Sequence, residues 1–239
     1  MIPHLLALAA IGMIAGLILN VLTKWLPFQI DQEEKFWIAE VSGADTHPVE
    51  IGLFRFIRDF QWEKKSTLTF CLASIFIFVG VPLLFGMSFK SLSIILFVWV
   101  MVALAMIDYR TKLLPDVLIL PMVWVGLLVQ MQPDMQTIGI KDSIFGAVFG
   151  YLLLWFVAHL FLMTRKQEGL GRGDMKLMAL IGAWMGPMAI PIVLLMSAVM
   201  GGIWQSLAVL RSKAGWKDNF PFGPWIIISA LIYLLRFAI

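Results

Sequence analysis

The sequence predicts an all-α protein, a polytopic membrane helix bundle of about eight transmembrane segments. Three observations carry that prediction. Of the 239 residues, 61% are hydrophobic and 14% charged, with a mean hydropathy of +0.91, where an ordinary soluble domain is roughly a quarter charged. The apolar residues gather into runs close to the roughly 20 residues that one helix needs to cross a bilayer core. Lysine and arginine, finally, are shared very unequally between the segments that join those runs.

The runs fall at 4–22, 68–87, 91–107, 115–131, 142–163, 175–187, 189–210 and 222–238. The first, within residues 1–22, has no Lys or Arg ahead of it and meets Lys24 just after it. It therefore reads as a retained span with its N-terminus outside, and not as a cleaved signal. His4 reads as an interfacial residue. Residues 23–67 form one sizeable cytoplasmic loop, slightly acidic, whose Phe36, Trp37, Phe54, Phe56, Phe60 and Trp62 are suited to packing on the membrane surface. At this length a loop scarcely builds a core of its own. His47, with Asp45 and Glu50 nearby, invites a metal reading, but the loop offers neither a cysteine nor a second histidine.

Residues 68–239 hold the other seven runs. The sixth is short, and Pro187 and Pro191 leave its junction with the seventh open to a re-entrant or tilted arrangement. The only cysteine, Cys71, sits inside the second run, so neither an intramolecular disulfide nor a cysteine metal cluster is available, and packing is its expected role. Gly12 and Gly16, Gly146 and Gly150, and Gly182 and Gly186 form G-x-x-x-G pairs. Such pairs let helix backbones come close in lipid.

Orientation follows from the cations. One set of connecting segments holds Lys24, Lys35, Arg55, Arg58, Lys64, Lys65, Arg110, Lys112, Arg165, Lys166, Arg172, Lys176, Arg211, Lys213 and Lys217; the other holds Lys90, Lys141 and Arg236. Fifteen against three puts the first set in the cytoplasm. The net charge of +3 thus speaks for a lipid bilayer as partner, and not for nucleic acid.

Two acids break the rule that charge stays out of the runs. Asp108 closes the third run in I-D-Y-R-T-K-L-L-P-D, and Asp174 opens the sixth in G-L-G-R-G-D-M-K. Both fall at the cytoplasmic face. Carboxylates in or beside hydrocarbon are costly and are usually buried against partners and used. If these two face each other they cannot both ionise easily, so the pair holds one proton and offers an acid and a base together. One Asp then takes a proton from water while the other polarises a peptide carbonyl, which is aspartyl proteolysis. Gly169, Gly171 and Gly173 are expected to supply backbone freedom and room for an extended substrate strand, with Lys176 as a neighbouring binding or loop residue. Asp116, after Pro115, reads as a helix start.

At these residues the sequence resembles the type IV prepilin peptidases, membrane aspartic proteases of the GxGD type. Residues 107–116 resemble the family's first catalytic motif and 169–186 its second. Asn20-Val21 through Leu26-Pro27 looks like the end of the family's first span, with Trp25 where a basic residue is usual, and P-F-G-P at 221–224 looks like the start of its last. The resemblance implies that Asp108 and Asp174 are the catalytic pair and that 68–239 is the peptidase core. It further implies removal of short basic leaders from type IV prepilins or type II secretion pseudopilins at the cytoplasmic face of a bacterial inner membrane.

Many members carry two C-x-x-C pairs binding zinc in the first cytoplasmic loop; here that loop has no cysteine. Zinc is therefore not expected. S-adenosylmethionine enters only if the family's second activity, N-methylation, is retained, and no nucleotide-binding glycine motif supports it. Proteolysis itself implies no cofactor. From another class, a proton- or ion-coupled transporter using the two aspartates remains the alternative, although both acids lie near one face and no inverted repeat is evident.

Overall fold

A computed structural model of the chain describes residues 2–41, 63–134, 137–165, 171–211 and 221–237, together with Phe56 and Phe60. Among the described residues there are eight α-helices and no strand. They are α1 (Ile2–Val41), α2 (Lys64–Phe85), α3 (Phe89–Thr111), α4 (Asp116–Met131), α5 (Ile140–Arg165), α6 (Arg172–Met185), α7 (Ala189–Leu210) and α8 (Gly223–Phe237). Each apolar run has its helix, and the ends agree within about one turn everywhere except at α1. There the helix continues past Leu22, through Pro27, to Val41. The stretch 23–41 turns polar but contains no glycine and carries several Gln, Glu and Lys, so it leaves the apolar pattern without leaving helix-forming composition.

Among the described residues five helices are long and apolar enough to cross a membrane: His4–Glu33 within α1, α2, α3, Ile140–Thr164 within α5, and α7. α4 and α8 are shorter apolar helices. Together they form a polytopic helical membrane protein.

The chain divides into two compact units, Met1–Met87 and Ser88–Ile239. In the first, α1 and α2 pair along the small face of α1. A Cβ at Gly12 would stand 2.8 Å from the Cα of Ile75, and one at Gly16 would stand 2.5 Å from the Cα of Cys71. The G-x-x-x-G pair is therefore an interface. Toward one end, buried Asn20 donates from Nδ2 to Thr67 Oγ1 at 2.8 Å and accepts from Ser66 Oγ at 3.3 Å. Interhelical bonds of this kind contribute on the order of 1 kcal/mol in a membrane.

The second unit is built around α6. From Asp174 to Gly186 only Lys176 and Ala179 escape full burial, because α4 and α5 flank this helix and α7 and α8 also touch it. Its 14 residues span only about 21 Å, too short for a lipid-exposed crossing. Protein surrounds it instead, which removes the need for a full span. Gly146 and Gly150 of α5 lie against Gly182 and Met178 of α6: a Cβ at Gly150 would stand 2.5 Å from the Met178 carbonyl oxygen, and Gly146 and Gly182 are closer still. The two remaining G-x-x-x-G pairs thus pack on each other.

The far end of α6 is pinned. Gly186, at φ +79°, terminates the helix, and its exposed carbonyls are met by side chains of neighbours. Ser143 Oγ donates to the Ala183 carbonyl, and Gln130 Nε2 donates to that of Trp184 at 3.4 Å. Trp184 itself donates from Nε1 to the Met122 carbonyl at 2.8 Å, over Gly126. A helix held this firmly at one end presents the other in a fixed place.

Candidate active site

Asp108 lies in the last turn of α3 and Asp174 in the first turn of α6, and only 5% and 9% of their surfaces are exposed. A tight turn begins their convergence. α3 ends at Lys112, which takes the left-handed conformation (φ 57°, ψ 28°) and donates its N–H to the Asp108 carbonyl at 2.8 Å. A single residue in that region reverses the chain, and Pro115 then leads into α4. Inside this turn Leu114 rests directly on Gly173 of α6, where a Cβ would stand 2.8 Å from Leu114 Cβ and 3.1 Å from its Cδ1. The segment that follows Asp108 is therefore seated on the turn that carries Asp174.

The two carboxyls lie close enough for the charge of Asp108 to be felt at Asp174. Asp108 Oδ2 is buried and has no hydrogen-bond partner among the described residues. The cation of Lys112 acts on Asp108 from the cap that closes α3. From another helix the N–H of Gly223, the first residue of α8, faces the same carboxyl. At Asp174, the backbone N–H donates to the Gly171 carbonyl at 3.1 Å, and Oδ2 lies 3.2 Å from where a Gly171 Cβ would stand.

Of the backbone freedom and the room expected of the glycines, the backbone freedom is not used at Gly171 or Gly173. Gly171 has φ −68°, and Gly173 lies within the helix; neither is among the positive-φ residues. Their contribution is space, against Asp174 at one and against Leu114 at the other. Gly171 is exposed beside the acid, whereas Gly169 lies outside the described residues. Lys176 points to α4, where its Nζ meets both oxygens of Asp116 at 2.7 and 2.6 Å. Asp116 opens α4 as read, but it also ties α4 to α6.

Chemically, two buried carboxyls of which one feels the other's charge can share a proton, which is what acid–base work requires. For a metal the fit is poor: among the described residues no three His, Cys, Asp or Glu side chains converge. The one thiol of the chain, Cys71, lies in α2 and donates to the Met13 carbonyl of α1 at 3.7 Å. A four-thiolate zinc site does not fit this sequence. His47 and residues 42–55 lie outside the described residues.

Leu114, Lys112 and Gly223 are the site residues that motif reading left without a role. Leu114 and Lys112 sit inside the first motif, and Gly223 inside P-F-G-P, so the signal was present but its contact was not.

Residues 95–206 match the family model described as the type IV leader peptidase family. The chain is similar to curated proteins named prepilin leader peptidase/N-methyltransferase. That of Stutzerimonas stutzeri is 38% identical over 151 residues, covering 63% of this chain and 52% of that protein. The Pseudomonas aeruginosa protein is 38% identical over 151 residues, covering 63% and 51%. One from Burkholderia pseudomallei is 31% identical over 251 aligned positions, covering 90% of this chain and 80% of that protein. The chain spans about half the length of the first two relatives. No solved structure matches it.

Proposed function

This chain belongs to the type IV leader peptidase family, and from that premise we propose that it is an aspartic endopeptidase removing the short basic leader from type IV prepilins or type II secretion pseudopilins. The observation that carries the reading is the burial of both Asp108 and Asp174, with the charge of Asp108 acting on Asp174. Such a pair retains one proton between them. The ionised member draws a proton from a water molecule, whose oxygen attacks the scissile carbonyl carbon. The protonated member donates to the carbonyl oxygen, and the resulting tetrahedral species collapses as the amine leaves with a proton. No covalent enzyme intermediate is needed. Both acids fall on the side that the cations assign to the cytoplasm, so the leader is cut at the cytoplasmic face of an inner membrane.

Gly171, exposed and next to Asp174, provides room for the substrate backbone to approach the pair. Methyl transfer stands apart from this core. The relatives' names include it, and S-adenosylmethionine would be its donor. The loop where the resemblance locates that activity has no cysteine, and much of it lies outside the described residues. Cleaved pilin made by the purified protein with S-adenosylmethionine present is expected to keep an unmodified N-terminus. A mass larger by one methyl group would assign the second activity as well.

The test of the main reading is reconstitution in liposomes with a prepilin. Cleavage at the leader junction, without proton movement into the vesicles, supports the peptidase. Proton or ion flux with the prepilin left intact would favour a transporter.

A further inference from the structure

The function just proposed does not use the P-F-G-P segment at 221–224, yet Gly223 of this segment lies directly against Asp108. Gly223 is buried at the start of α8, which packs against α3. A Cβ there would stand 2.6 Å from Asp108 Oδ2, 3.0 Å from its Cγ and 3.5 Å from its Cβ. A distance under 3 Å is far inside van der Waals contact. The Asp108 carboxyl therefore occupies the space that any other residue at 223 would fill.

The backbone groups of this turn tell the same story. A helix leaves its first N–H groups without intrahelical partners. In α8, Pro224 has no N–H, and those of Trp225 and Ile226 donate to the Phe222 carbonyl at 3.1 and 3.2 Å. That leaves the N–H of Gly223, and it faces the Asp108 carboxyl. The positive end of the helix dipole points the same way. Asp108 Oδ2, meanwhile, is buried and makes no hydrogen bond among the described residues. Proline in the first turn and glycine before it thus leave one donor free and no side chain in front of it.

We infer that Gly223 is a positioning residue for the cleavage reaction, its bare Cα forming the seat of the Asp108 carboxyl and its N–H fixing the direction in which that carboxyl points. It acts through Asp108, so the inference rests on the peptidase reading. Its consequence is specific. Filling the seat moves a reacting oxygen while leaving the approach of substrate past Gly171 untouched.

The experiment compares Gly223→Ala with Ile227→Ala, a buried position one turn further along α8, in purified protein with a prepilin. A displaced reacting group of about 1 Å costs on the order of 100-fold, so Gly223→Ala is expected to lower kcat about that much. KM should stay within about twofold, because substrate binding is not what the seat controls. Ile227→Ala loosens the same helix and leaves the seat at Gly223 unfilled, and is expected to lower the unfolding temperature while largely keeping kcat. Equal losses of kcat in both variants, or unchanged kcat in Gly223→Ala, would overturn the inference.

A second substitution removes the dependence on folding of the alanine variant. Glycolate placed at 223 by cell-free translation into nanodiscs deletes the N–H and adds no side chain; kcat should fall with KM held, and full kcat there would overturn the orienting role of the N–H. Asp108→Asn separates the two levels. If that protein still cleaves, the assignment of Asp108 to the catalytic pair fails, and the seat with it; if it is inactive while both 223 variants are fully active, only the role of Gly223 fails.

Discussion

Lys176 crosses from α6 to grip Asp116 on α4, its Nζ lying 2.7 Å from Oδ1 and 2.6 Å from Oδ2. Both side chains remain partly open to solvent, 32% and 49% exposed. An ion pair of that exposure contributes about 0–1 kcal/mol, so it steadies the two helices without being indispensable. Asp116→Asn and Lys176→Met are each expected to keep most of the cleavage rate and to lose about 1 kcal/mol or less of stability. Thermal unfolding in detergent and prepilin cleavage measure this together. A many-fold rise in KM for Lys176→Met, at unchanged stability, would instead make Lys176 a substrate-binding residue.

Gly173 bears on the same contact from another side. Leu114 lies where its Cβ would be, so Gly173→Val forces the turn after Asp108 away from α6. Overpacking of this kind costs about 1–3 kcal/mol, and cleavage is expected to fall with it. Shortening the neighbour should relieve the strain: Gly173→Ala with Leu114→Ala is expected to cleave faster than Gly173→Ala alone. No improvement in the double variant would show that the glycine is needed for something other than Leu114.

Much of this arrangement was legible in the residues. All eight helices follow from apolar runs, and the three G-x-x-x-G pairs are real contacts because small residues in a membrane helix have few other uses. Asp108 and Asp174 stand out because charge inside such runs is costly. Two kinds of fact were hidden. The length of α1 beyond Leu22 escaped because a hydropathy pattern reports apolarity, and a helix continues wherever composition allows it. The seating of Leu114 on Gly173, and of Asp108 on Gly223, escaped because each joins residues far apart in sequence, and motif reading has no information on which surfaces meet. The glycines before Asp174 were read for backbone freedom and for room; Gly171 and Gly173 have no positive φ, and what they supply is space against Asp174 and Leu114.

Cleavage should depend on pH from both sides. Below the lower ionisation of the Asp108–Asp174 pair both carboxyls are protonated and no base remains. Above the upper one both are ionised and no acid remains, so the rate passes through a maximum between them. The two limbs belong to the pair. A rate that rises through one ionisation and then stays level, measured with a prepilin in detergent across the stable pH range, would indicate a single essential base.

The account stands or falls on the two buried aspartates acting as one unit. The direct measurement is an immunoblot of a prepilin co-expressed with wild-type protein, Asp108→Asn or Asp174→Asn, each variant first shown to be inserted in the membrane at the wild-type level. Groups that act together lose nearly the full rate when either is removed, so the prepilin is expected to be processed by the wild type and to remain at its precursor size with each variant. Substantial conversion to the mature size by either the Asp108→Asn or the Asp174→Asn protein would contradict it.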